Sequence, residues 1–213
     1  TNYTSMNRLI ALAMLLFAGT MAAQTPKLYH EAASPRGFAP DGWHVYFTVR
    51  GDLNNDRVDD IAFVLEDNYS GDRVLAIAFG KKKGNGYILQ EQDHGHFIAP
   101  KGNTDAFDNM SIQNNTLTVK FLLPCKPGYE YDDRFGFQFQ NGRFELVGWE
   151  RRKRDVKKEW VAEFTSVSYT YKKAVYEDRT KKSETRQKNF DFKRFKTFSD
   201  IVPGQFVLNY DKL

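Results

Sequence analysis

The chain has 213 residues, with 31 Lys and Arg against 27 Asp and Glu, and a formal net charge of +4. Cys125 is the single cysteine, which excludes a disulfide framework, so the body must hold by core packing and any bound ion. Charge is uneven along the chain: residues 23–149 carry 13 basic and 17 acidic residues, residues 150–213 carry 17 and 10. The last part is therefore the candidate for meeting an anionic surface.

The start reads as a secretory signal peptide over residues 1–22, with Met6 as its true start. Met6-Asn7-Arg8 is positively charged, Leu9 to Phe17 is an unbroken apolar run, and Gly19 to Ala23 offers small residues for cleavage after Ala22. This predicts a periplasmic or secreted protein and argues against nucleic acid as a partner. No later segment is apolar enough to predict a membrane-spanning helix. Residues 23–213 read as one mainly-β domain with a basic C-terminal part, 150–213.

Past a short helix predicted near Ser34 to Asp41, alternation with a period of two dominates. His44 to Arg50 reads as a strand. Ile61 to Leu65 and Val74 to Phe79 are apolar runs that suit strands covered on both faces. Lys81 to Gly86 predicts a turn before Tyr87 to Leu89. Asn114-Asn115 joins Ser111–Gln113 to Thr116–Phe121. Asn141-Gly142 joins Phe135–Phe139 to Arg143–Val147, the strongest short hairpin signal in the chain. Leu117, Val119 and Phe121 share a face, as do Phe135, Phe137 and Phe139, and both faces are predicted core. Arg151 to Glu159 reads as a charged break. Alternation resumes from Trp160 to Glu177, and Arg179 to Lys188 reads as a polar hairpin tip. A second short helix is predicted near Phe198 to Val202. The fold class is mainly β, with antiparallel meanders and hairpins in a sandwich-like or partial-propeller arrangement and few short helices.

Gly51-Asp-Leu-Asn-Asn-Asp-Arg-Val-Asp-Asp60 has the spacing of a calcium loop. A hard cation takes six to eight oxygens in a flexible cage. Asp52, Asn54 and Asp56 would supply side-chain oxygens, Val58 a backbone carbonyl, and Asp60 the closing carboxylate. On these residues, and on the flanking stretch from Phe38 through Trp43 to Glu66, the chain resembles the FG-GAP or VCBS-type repeat. It also resembles small secreted bacterial proteins that carry one such loop and a hairpin like Gln140 to Gly148. The resemblance implies a structural calcium ion. Arg57 stands where this loop type carries glycine, and a non-glycine residue at positive φ costs about 1 kcal/mol or more. A closed propeller needs at least four blades, and only one loop is present.

Other candidates are weaker. Asp93-His94-Gly-His96 offers two imidazoles but no third ligand by spacing. Asp132-Asp133 reads as solvated turn residues, and Cys125 as a small buried side chain. No nucleophile elbow, zinc-protease motif or phosphate-cradling loop is present. Phe192-Lys-Arg-Phe-Lys-Thr-Phe198 reads as core-completing aromatics with charges in water. The expected function is a non-catalytic secreted or periplasmic β protein that binds an envelope polysaccharide, an anionic lipid surface or another protein. The alternatives are a polysaccharide hydrolase using Asp93, Asp132 or Asp133, and an anion-binding module using Arg151–Lys158 and Lys181–Lys196.

Overall fold

A computed structural model describes residues 26–157, 160–170, 173–179 and 186–208. The expected signal peptide lies outside the described residues. The chain is mainly β and forms two antiparallel sheets. The first contains β1 (Glu31–Ala32), β2 (Trp43–Gly51), β3 (Asp60–Asp67), β4 (Arg73–Gly80) and β5 (Tyr87–His94), in the order β1-β5-β4-β3-β2. The second is a meander whose spatial order follows the chain. It runs through β6 (Phe107–Gln113), β7 (Thr116–Lys126), β8 (Tyr129–Gln140), β9 (Arg143–Asp155), β10 (Trp160–Thr170), β11 (Lys173–Asp178) and β12 (Arg186–Phe190).

The hairpins follow from their turn residues. Asn114 and Asn115 have φ of 49° and 58°, and Asn141 and Gly142 have 54° and 79°. Paired positive φ matches the twist of the flanking strands, which is why Asn and Gly occupy these corners.

One core joins the sheets. Ala62, Val64, Leu75 and Ile77 of the first sheet pack with Leu117, Val119, Phe121, Phe135, Phe137, Phe144, Leu146 and Trp149 of the second. Phe97, from the connection between the sheets, meets Phe121, Phe135 and Phe137 edge-on. The opposite face of the first sheet carries Ile61, Phe63, Leu65, Val74, Ala76 and Ala78, under Leu28 and Phe38. Phe38 belongs to helix α1 (Pro35–Phe38) and stacks on Phe63 at 5.3 Å. β3 and β4 are thus apolar on both faces because both are covered.

The predicted break at Arg151 to Glu159 is corrected: β9 continues through it to Asp155. Its cations are neutralised from within the sheet. Arg151 pairs with Asp133, Arg152 with Glu150, Lys153 with Glu163 and Arg154 with Glu130. Asp132 and Asp133 are corrected likewise. They are buried residues in the middle of β8, 2% and 0% exposed, not turn residues. Cys125 lies near the end of β7 and is only half-buried. After β12 the chain returns across the larger sheet. Phe198 opens a 3-10 turn (Phe198–Asp200) and is buried 4.2 Å from the Phe137 ring. Phe192 and Phe195 pack on Tyr169. Phe198 and Phe192 join the core, as expected, and Phe195 packs beside Phe192.

Candidate functional site

The 51–60 loop connects β2 to β3 and sits where the sheets meet. Leu53 plugs the shared core at 1% exposure. The Asp52 carbonyl accepts a 2.9 Å bond from Asn115 Nδ2 in the β6–β7 turn, tying the loop to the other sheet.

The predicted ligands come together as one hydrogen-bonded loop. Asp52 Oδ1 accepts from Asp56 N–H at 3.1 Å and Oδ2 from Arg57 N–H at 2.8 Å. Asn54 Oδ1 also accepts from Asp56 N–H, and Asp56 Oδ1 accepts from Val58 N–H. Asp60 is fully buried. Its Oδ2 accepts from Leu53 and Asn54 N–H at 2.8 and 3.3 Å, and its Oδ1 from Gly80 N–H at 2.9 Å. Burial pushes the Asp60 carboxyl up, and the three N–H groups oppose that rise. Arg57 has φ of 68°, the left-handed conformation that this position demands. Asn55, at 61°, is of the residue type that tolerates it better.

Gly80 is required here by close approach. A Cβ at this position would lie 2.4 Å from the Asp59 carbonyl oxygen and 2.7 Å from Val58 Cγ1. Without a side chain, the end of β4 comes near enough to donate its N–H to Asp60.

The donor set is that of a hard-cation site. Its arrangement in space is that of a loop bonded to itself. Among the described residues, no three His, Cys, Asp or Glu side chains form a group that could hold a metal ion.

The other candidate residues are held apart. Asp93 caps the turn after β5, accepting from His96 and Phe97 N–H. His94 ends β5 and His96 lies beyond Gly95, whose φ is 68°. Asp132 and Asp133 are adjacent in a strand and so point to opposite faces. Asp132 takes a bidentate bond from Arg134, and Asp133 one from Arg151. Each of these two carboxylates is thus paired with a cation.

Two features escape sequence reading. The first is a buried charge cluster. Arg73, 2% exposed, bonds Glu66 through Nε and Asp105 through both terminal nitrogens at 2.7 and 2.6 Å. Tyr46 donates to Asp105, and its ring lies 4.4 Å from the Arg73 guanidinium carbon. This ties the connection between the sheets to the first sheet. The three partners are spread over 59 residues, so no local pattern announces them.

The second is a groove of about 550 Å³ on the outer face of the larger sheet. Its floor is a row of small residues on four adjacent strands: Thr118 opposite Gly136, Gly136 opposite Gly148, and Gly148 opposite Ser168. Their neighbours Val119, Phe135, Phe137, Trp149 and Val167 point to the core, so the row faces outward. Neither Gly136 nor Gly148 has positive φ, and a Cβ on either would meet nothing closer than 3.4 Å. The fold does not demand these glycines. Around them stand Arg134, Glu150, Arg152, Phe164, Glu177 and Arg179. Arg152 bonds Glu150, and Arg179 bonds Glu177. Both guanidinium groups lie near the Phe164 ring, at 5.8 and 5.1 Å. The sequence holds one signal of this groove: glycines inside strand patterns mark a close approach.

Comparison with protein-family models, with curated proteins and with solved structures finds no match to this chain.

Proposed function

We propose that this is a non-catalytic β protein of the periplasm or cell exterior that binds an uncharged, hydroxyl-rich envelope polysaccharide across the groove of the larger sheet. The carrying observation is the Gly136–Gly148 pair, which opens a polar, charge-balanced groove where the fold would accept side chains. A volume of about 550 Å³ suits a small-ligand site or a short stretch of a chain. The export pattern of residues 1–22 supports that compartment.

The charge balance selects the ligand class. Arg134, Arg152 and Arg179 each have a carboxylate partner, in Asp132, Glu150 and Glu177. Paired in this way, the guanidinium groups are poor anchors for an anion. The array still presents donors and acceptors side by side, beside the Ser166, Ser168 and Thr118 hydroxyls. A sugar hydroxyl both donates and accepts, so it matches such an array. The same pairing along β9 disfavours an anionic lipid surface as the partner.

Co-sedimentation of the protein with insoluble envelope polysaccharide tests this reading. Binding is expected for the unmodified chain and is lost in Gly148→Thr, whose side chain fills the groove floor. Undiminished binding in Gly148→Thr, or binding that vanishes with modest salt, would remove the groove from the account.

A further inference from the structure

We infer that the 51–60 loop closes without a metal ion, peptide N–H groups of the loop and of Gly80 bonding the carboxylates that its spacing would otherwise offer to calcium. This inference is independent of the groove.

The closing residue decides it. A calcium loop needs its last carboxylate turned inward with lone pairs free for the ion. Asp60 is 0% exposed and receives three N–H groups on two oxygens. One of these comes from Gly80 on β4, outside the loop. At the opening residue, each Asp52 oxygen likewise accepts one N–H group, and Asp52, Asp56 and Asp60 do not converge into a group that could hold a metal ion. At Asp60 the three N–H groups offset part of the cost of burying the carboxylate.

Arg57 fits the same reading. A metal site gains from glycine at the sharp turn, and here a cationic side chain sits there at φ of 68°. Lys82 adds a second positive charge, 3.5 Å from Asp56 Oδ2. The loop's work is mechanical. Leu53 enters the core, Asn115 holds the Asp52 carbonyl, and Gly80 meets Asp60, so the two sheets are joined at one point.

The test is thermal unfolding of the full chain in EGTA and in calcium at about 10 mM, tenfold above the weakest affinities of extracellular calcium modules. The two midpoints are expected to agree within about 1 °C. A bound ion at that excess would raise the midpoint by about 3–6 °C, and such a rise would overturn the inference. Asp60→Asn is expected to lower the midpoint equally in both media. Asp52→Asn, which is less buried, serves the same purpose if Asp60→Asn does not fold. Arg57→Gly is expected to raise the midpoint equally in both. A gain for Arg57→Gly in calcium alone would show that the carboxylates do converge on an ion, and would also overturn the inference.

Discussion

Asp60 and Gly80 make the closest joint between strand and loop, and single atoms there carry measurable consequences. Gly80→Ala sets a methyl carbon 2.4 Å from the Asp59 carbonyl oxygen, so the loop or the end of β4 must shift. We expect a loss of about 1–3 kcal/mol, read by urea unfolding. Arg57→Gly removes the strain of a side chain at φ of 68° and is expected to gain about 1 kcal/mol by the same measurement. Sequence spacing locates this loop and all its oxygen-bearing residues, because the period of two is local. It does not reveal what those oxygens bond. One of those bonds, to Asp60 Oδ1, comes from Gly80, which arrives from 20 residues away in the chain.

Among the elements, β9 shows how a strand can be built from a run of cations. Arg151, Arg152, Lys153 and Arg154 alternate faces, and each meets a carboxylate. Tyr129 and Tyr131 add aromatic faces beneath Lys153 and Arg151. The pairs differ in depth. Asp133 is fully buried, while Arg152 and Glu150 are 34% and 39% exposed at their side chains. Burial pushes the Asp133 carboxyl up, and Arg151 and the Gly204 N–H oppose that rise. Asp133→Ala leaves the Arg151 cation without its partner and is expected to cost about 3–5 kcal/mol. Arg152→Ala is expected to cost no more than about 1 kcal/mol. Equal losses in chemical denaturation would contradict this ranking. The Asn-Asn and Asn-Gly hairpins are legible because their signal is two adjacent residues. The charged strand is not, because its partners lie on neighbouring strands that a linear reading cannot bring together.

Across the whole molecule, the shared core joins the two sheets, the C-terminal return packs on the larger one, and the Arg73 cluster ties the connection between them to the first. Phe198 lies among Phe97, Phe137 and Phe144, and Phe198→Ala is expected to cost about 3–5 kcal/mol. Acid should act through Asp105, whose carboxyl the Arg73 guanidinium holds below its ordinary value of 3.8. A depressed carboxyl stabilises the fold fully above its unfolded value, and that stabilisation is lost as pH falls through the folded one. Stability is therefore expected to decline below about pH 4, and Asp105→Asn should flatten that decline in pH-dependent urea unfolding. The mainly-β class and the covered β3 and β4 are legible from alternation and apolar runs. The groove is not, since its floor is a row across four strands whose register only the fold defines.

The functional claim rests on Gly136 and Gly148, and their amide signals offer the most direct test. Backbone NMR of the protein, titrated with soluble fragments of neutral envelope polysaccharide, should shift the amides of Gly136, Gly148, Ser166 and Ser168 together. Gly148→Thr should abolish those shifts while leaving the protein as stable or more so, because a β-branched residue suits a strand better than glycine. Shifts confined to other surfaces, or none at saturating fragment, would contradict the account.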